Sequence, residues 1–281
     1  MNQVKMHNGV QIPSVGLGTW QITDRDEMKH LLADAYEAGY RMFDTAAAYC
    51  NEMAIGKALE ALQLPREELF LSDKVWNTSR GYDNVRDACR RSLKKMKTDY
   101  FDLYLIHWPA SMALYPDWAQ INEDTWRGME SLYDEGLVRA IGVCNFKAHH
   151  LTQLQKTARI MPMVNQIEYH PGMMQEDTVE FCKNAGIVIE ASSPLGNGQI
   201  LRNPVLLEIA AKHQKTVAQV CLRWANQREI VVIPKTTNKN RLAENLCFDD
   251  FLLSQEELLV IDGISYCGGI GIDSDKVTEY G

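Results

Sequence analysis

Three stretches decide how this chain folds: RMFDTA at 41–46, LFLSDK at 69–74 and YFDLYLIHW at 100–108. Each is a short apolar run, too short for a stable helix and bounded by polar residues, so each reads as a buried strand. Asp44 lies near the end of the first, with Tyr49 in the loop after it. Lys74 closes the second, and His107 closes the third. Between them, Glu52–Leu62 and Tyr82–Met96 carry apolar residues at three- and four-residue spacing, the period of a helix with one buried face. Strand, helix, strand in succession means parallel strands, because a parallel pair needs a crossover. The C-terminal ends of parallel strands share one face. That face would gather a carboxylate, a phenol, an ammonium and an imidazole, which is the chemistry of a site rather than of a core.

The pattern extends both ways. Strand candidates are Val15–Trp20, Arg41–Ala46, Leu69–Lys74, Phe101–Trp108, Val138–Asn145, Met163–Tyr169, Gly186–Ser192 and Ile230–Pro234. Further helix candidates are Glu27–Ala38, Asp124–Glu135, His149–Thr157, Asp177–Ala185, Val205–His213, Val217–Gln227 and Arg241–Leu246. A last helix opens at Ser254 with a capping box to Glu257. An open doubly wound sheet and a closed barrel both fit. Eight units favour the α/β architecture of a (β/α)8 TIM barrel, as a single domain over 1–281. Ahead of it, Asn8-Gly9 between alternating stretches predicts an N-terminal β-hairpin with a type I′ turn.

Bulk properties narrow the function. The net charge is −8, which disfavours nucleic acid and an anionic membrane as partners. Seven cysteines without a CxxC pair point to a reducing compartment rather than a disulfide framework. The N-terminal residues have no apolar core of a signal peptide, and no run approaches ~18 apolar residues. The expectation is a soluble, cytoplasmic monomer. There is no GxGxxG fingerprint after a strand, and no HExxH or CxxC pair to hold a metal.

The four residues make sense together. A phenol is a reluctant proton donor at neutral pH. A neighbouring ammonium stabilises the phenolate and lowers its pKa, an aspartate keeps the ammonium charged, and an imidazole can hydrogen-bond a carbonyl oxygen. The set forms a general acid for an oxygen on which negative charge develops. Hydride delivery to the carbon needs a nicotinamide cofactor.

Several motifs in order then identify a resemblance: GLGTW at 16–20, DTAAAYCNE at 44–52, KVWNT at 74–78, LIHWP at 105–109, VNQIEYHP at 164–171, SPLG at 193–196 and IPKTTNKNRLAENL at 233–246. The chain resembles the aldo-keto reductases. The resemblance implies a barrel with an N-terminal hairpin that binds NADPH. It implies Tyr49 as general acid, tuned by Lys74 and Asp44, with His107 orienting the carbonyl. The side-chain amides of Asn145 and Gln166 suit a nicotinamide carboxamide. Lys235, Thr236 and Arg241 suit a 2′-phosphate, which argues for NADP over NAD. Glu244 and Asn245 fall where the family holds adenine. Thr19, Trp20, Asp44, Cys144, Ser192, Ser193 and Leu195 complete the implied cofactor contacts. Trp20, Tyr49, Trp76, His107 and Trp108 line the implied substrate pocket.

Two positions depart from the family. Cys144 stands where GVSNF has serine, which weakens one donor. Ser192 stands where AYSPLG has an aromatic, and the lost stacking is worth about 1 kcal/mol. The reading is an oxidoreductase of the EC 1.1.1 type, an NADPH-dependent reductase of small aldehydes, dicarbonyls or keto sugars. A regulatory NADPH-binding barrel with weak turnover is the alternative. The loop 109–122, with Met112, Leu114, Tyr115 and Trp118, is expected to add apolar wall. A short polar tail from Tyr266 is expected to leave the site open, with Gly268–Gly271 as a flexible turn, and His149-His150 is expected to face solvent.

Overall fold

In the computed structural model, residues 2–277 are described. Below the barrel, β1 (Gln3–Lys5) and β2 (Gln11–Pro13) pair antiparallel, Val4 opposite Ile12. The turn differs from the type I′ expectation. Gly9 has φ +90° while Asn8 stays out of the left-handed region, and Gly9 N–H donates to Met6 O at 2.9 Å. This is a right-handed turn followed by one left-handed glycine, the other common hairpin solution. The Asn8 side chain favours it by accepting from Val10 N–H at 3.1 Å.

Eight parallel strands follow in sequence order: β3 (Leu17–Gly18), β4 (Met42–Asp44), β5 (Phe70–Val75), β6 (Leu103–Ile106), β7 (Ile141–Cys144), β8 (Val164–Glu168), β9 (Val188–Ser192) and β10 (Val231–Val232). Val15 bridges Val232 in parallel, and Gly16 N–H donates to Val232 O at 2.9 Å, so the sheet closes on itself. All eight expected strands are present, and the fold is the (β/α)8 barrel. Every residue of β5, β6, β7 and β8 is buried, as strands covered on both faces must be. Gly142 in β7 marks a tight approach, since a Cβ there would sit 2.5 Å from Val164 O.

The barrel is wrapped by α1 (Arg25–Ala38), α2 (Glu52–Leu62), α3 (Tyr82–Met96), α4 (Trp118–Asp134), α5 (Ala148–Leu154), α6 (Glu176–Asn184), α7 (Pro204–His213), α8 (Val217–Asn226), α9 (Lys239–Leu246) and α10 (Gln255–Asp262). Two helix ends lie three or more residues from the sequence reading. Helix α4 begins at Trp118, six residues before Asp124. Its extra turns are tied to the loop ahead, because buried Asn122 accepts from Ala110 N–H at 2.7 Å. Helix α5 stops at Leu154 in a tight turn, where Ala158 N–H reaches back to Leu154 O. The capping box of α10 forms as read: Glu257 N–H donates to Ser254 Oγ at 3.2 Å, and Ser254 N–H to Glu257 Oε2 at 2.7 Å.

Two buried carboxyl groups mark opposite solutions. Asp102 accepts from Arg66 at 2.7 Å, Arg139 at 2.9 Å and Leu71 N–H at 3.0 Å. Asp73 instead is wholly buried, adjacent in sequence to Lys74, and interacts with Glu52 of α2 and Ser92 of α3. Burial, then the charge of Glu52, pushes its pKa up to about 8. Among the described residues no helix is long and apolar enough to cross a membrane.

Candidate active site

Side chains alternate along a strand, and that alternation points Asp44 and Lys74 to the barrel interior. The Lys74 ammonium is fully buried. It donates to Asp44 Oδ2 at 2.6 Å and to Thr45 O at 2.8 Å. Tyr49 sits in a 3-10 turn, Ala47–Tyr49, with its ring centroid 5.2 Å from Lys74 Nζ. The His107 ring meets Tyr49 edge-on at 5.7 Å and Trp76 at 5.1 Å. The four residues expected at one mouth are therefore neighbours. Buried Asn51 holds their loop in place, accepting from Thr45 Oγ1 at 2.6 Å and donating to Thr19 O at 2.9 Å.

The electrostatics correct one expectation. Burial would strip Lys74 of its proton, but the Asp44 charge and hydrogen bond outweigh it and hold the ammonium charged. Tyr49 is not made acidic overall. Burial pushes the phenol up to about 12, and Lys74 offsets only part of that. Burial, aided by the Lys74 charge, holds His107 well below the usual imidazole range, so it is neutral at pH 7. Its Nδ1 is buried without a partner among the described residues.

The mouth opens into a cavity of about 1530 Å³. It runs from Tyr49 and His107 past Cys144, Asn145, Gln166, Ser192, Ser193 and Leu195 to Lys235, Thr236, Arg241, Glu244 and Asn245. Thr19, Trp20, Trp76 and Trp108 also line it. Every cofactor and substrate contact that the family resemblance implied thus lines this one cavity. Asn145 and Ser193 hold left-handed φ values of 63° and 47°. Strain of this kind persists where neighbours fix it: Asn145 Nδ2 donates to His107 O at 3.0 Å and Asn145 N–H to Gln166 O at 2.8 Å. Thr19 has its hydroxyl committed to Asp44 O at 2.9 Å, so it shapes the wall rather than offering a free donor.

Comparison with known proteins settles the family. The profile of the Aldo/keto reductase family matches residues 14–265. The chain is a member of the aldo/keto reductase family. This aldo/keto reductase is 45% identical to the glyoxal reductase of Bacillus subtilis over 274 residues, 98% of the chain and 96% of that relative. It is 47% identical to the 9,11-endoperoxide prostaglandin H2 reductase of Trypanosoma cruzi, covering 98% and 95%. A mutant of Gox0644, solved in complex with NADPH, superposes with a TM-score of 0.90 at 36% identity, covering 99% of both chains. Family and reductase-named relatives make the protein an oxidoreductase.

The aldo/keto reductase departs from its sequence reading at the rim. Met112, Leu114, Tyr115 and Trp118 lie outside the cavity wall. Trp118 packs instead on His149 and His150. Of those two, His150 is buried rather than solvent-facing. It accepts from Lys147 N–H at 3.1 Å and lies 3.2 Å from Asp275. The described part of the tail is also not a loose turn. Glu168 accepts from the backbone N–H groups of Ile270 and Gly271, and Ile270, Ile272 and Ser274 line the cavity. Residues 278–281 of the expected tail lie outside the described residues. Lys147, Met173 and Gln175 join the wall as well. The apolar residues Ile270 and Ile272 in an otherwise polar tail were the available signal that it packs on the wall.

Proposed function

We propose that this protein is an NADPH-dependent carbonyl reductase of small aldehydes, dicarbonyls of the methylglyoxal type or keto sugars. The reading rests on the buried Lys74–Asp44 pair beside the Tyr49 ring, with neutral His107 across the mouth. The cavity supports a dinucleotide, because its 1530 Å³ exceeds the ~300–1,000 Å³ of ordinary small-ligand pockets. Its far end carries Lys235, Thr236 and Arg241, with Arg241 at the start of α9, suited to a 2′-phosphate. Gln166 and Asn145 would hold the carboxamide, and Glu244 and Asn245 the adenine. When bound, the reduced nicotinamide supplies hydride.

The residues of the chain do the rest. A neutral imidazole donates a hydrogen bond to the carbonyl oxygen and polarises it without transferring charge. Tyr49 gives its proton to that oxygen as it becomes an alkoxide. The alkoxide is a stronger base than the phenolate, so a phenol of raised pKa still delivers. Lys74 then faces the phenolate and stabilises it, with Asp44 holding the ammonium in place. Trp20, Trp76 and Trp108 give the substrate apolar walls.

The Tyr49→Phe variant tests the reading. NADPH oxidation with glyoxal or methylglyoxal should fall by about 10²- to 10⁴-fold, as expected for loss of a general acid. NADPH should still quench tryptophan fluorescence. Turnover unchanged in that variant overturns the reading. NADPH binding with no turnover of any carbonyl by the wild type favours the regulatory barrel that Ser192 points to.

A further inference from the structure

The barrel interior holds a second carboxyl group that the scheme above does not use. Glu190, on β9 and in register with Gln166 of β8 and Val231 of β10, has no exposed surface. Its Oε2 accepts from Gln166 Nε2 at 3.0 Å, and the same nitrogen donates to Asp44 Oδ1 at 3.0 Å. An amide NH2 has two hydrogens, and here they go to two different carboxyl groups. Asp44 spends its other oxygen on Lys74. The amide oxygen is left to Cys144, whose thiol lies 3.7 Å away.

This arrangement fixes which way the amide faces. The Asp44 carboxylate, paired with the Lys74 ammonium, can only accept, so the amide nitrogen faces Asp44, its second hydrogen reaches Glu190 Oε2, and the oxygen faces Cys144. Without Glu190, one N–H of Gln166 is left without its acceptor in a dry interior, a state that costs free energy and that rotation of the side chain would relieve. The charge count also matters. One buried ammonium, Lys74, stands near two carboxyl groups and pairs with Asp44. Glu190 Oε1 has no hydrogen-bond partner among the described residues. An ionised carboxylate left so would be unsolvated, which favours the neutral acid.

We propose that Glu190 is a positioning residue for carbonyl reduction: as a neutral acid it locks the Gln166 amide with its oxygen turned to the Cys144 side, and leaves the Lys74 ammonium to Asp44 alone. The proposal rests on the reductase reading. Groups from the neighbouring elements set the protonation: Asp44 of β4, Lys74 of β5, Cys144 of β7 and Gln166 of β8. Burial, then the Asp44 charge, pushes the Glu190 carboxyl up to about 8, against the Gln166 hydrogen bond and the Lys74 charge. Above that pH a second negative charge enters the interior. It would compete for Lys74 and loosen the hold on Gln166.

The test compares wild type, Glu190→Gln and Glu190→Ala as full chains. The infrared carbonyl band of a protonated carboxylic acid should be present at pH 7, bleach with a midpoint near pH 8, and lose that component in Glu190→Gln. In kinetics, wild-type kcat/KM for NADPH should decline through the same range. Glu190→Gln keeps an acceptor for the Gln166 N–H and cannot ionise. It should bind NADPH within about two-fold of wild type at pH 7 and stay flat where wild type declines. Glu190→Ala should raise the Kd and KM for NADPH about ten-fold and change kcat less, which is the split expected of a positioning role. An unchanged alkaline decline in Glu190→Gln overturns the proposal, and so does NADPH affinity unaffected in Glu190→Ala. If Glu190→Ala does not fold, the pH profile of Glu190→Gln decides. If wild type reduces no carbonyl, the reductase reading fails by itself, and the loss or persistence of that infrared component in Glu190→Gln still decides whether Glu190 carries the proton.

Discussion

At the scale of single residues, the site works by setting one cation against a costly interior. Among the described residues, Lys74 is the one ammonium beside Tyr49, and it is wholly enclosed. Its removal would leave Asp44 as an uncompensated buried charge and take away the one group that lowers the phenol's pKa. Lys74→Met should therefore cut carbonyl reduction by about 10²- to 10⁴-fold, and methylamine should not restore it unless the site admits water. Steady-state rates in the two variants Lys74→Met and Lys74→Arg measure this; normal turnover in Lys74→Met sinks the assigned role. Ser192 is the opposite case, a position where a larger group should help. It is half-buried on the cavity wall at the end of β9. Ser192→Tyr should tighten NADPH about five-fold, corresponding to ~1 kcal/mol of added ring contact. Fluorescence titration reads it, and a weaker Kd would mean that the wall has no room for a ring.

The elements show what a sequence can and cannot disclose. Asp44, Tyr49, Lys74 and His107 were legible because strand ends announce themselves: an apolar run stops at a polar residue. Parallel order then puts those ends together without further information. Glu190 was harder. It sits inside Val188–Ser192, where an acid among apolar neighbours could equally have faced the helices. Only the register with Gln166 shows it facing inward to Asp44. The tail was misread for a related reason. Its anchor, Glu168, lies about a hundred residues earlier, and nothing local marks the pairing. Gly269 carries this contact: its φ is +114°, and a Cβ there would meet Glu168 Oε1 at 2.0 Å and His170 Nε2 at 2.5 Å. Gly269→Ala should push the strap off Glu168. Limited proteolysis within 266–277 should speed up, and KM for the carbonyl should rise a few-fold as Ile270 and Ile272 leave the wall. Cleavage as slow as in wild type would show that the strap is held by Lys147, Asp273 and Asp275 instead.

For the molecule as a whole, Asp73 ties stability to pH. It is buried on β5, where Ser92 and the Lys74 backbone N–H favour its charge less than burial opposes it. In the folded chain its pKa is pushed up to about 8, whereas an unfolded aspartate titrates near ~3.9. Between those values the folded state keeps a proton that the unfolded state has released. Stability must then fall as pH rises through that window, and level off above it. Glu190, raised in the same sense, adds a slope of the same sign. Asp73→Asn removes one titration and keeps the shape. At pH 4 the variant and wild type should unfold alike. At pH 8 the variant should be the more stable, with Tm higher by about 2–4 °C for each kcal/mol recovered. Denaturant melts across pH measure both the intercept and the slope. A variant whose stability keeps the wild-type slope would mean that Asp73 stays ionised and that Lys95, paired with Glu52 at 2.6 Å, supplies the charge it needs.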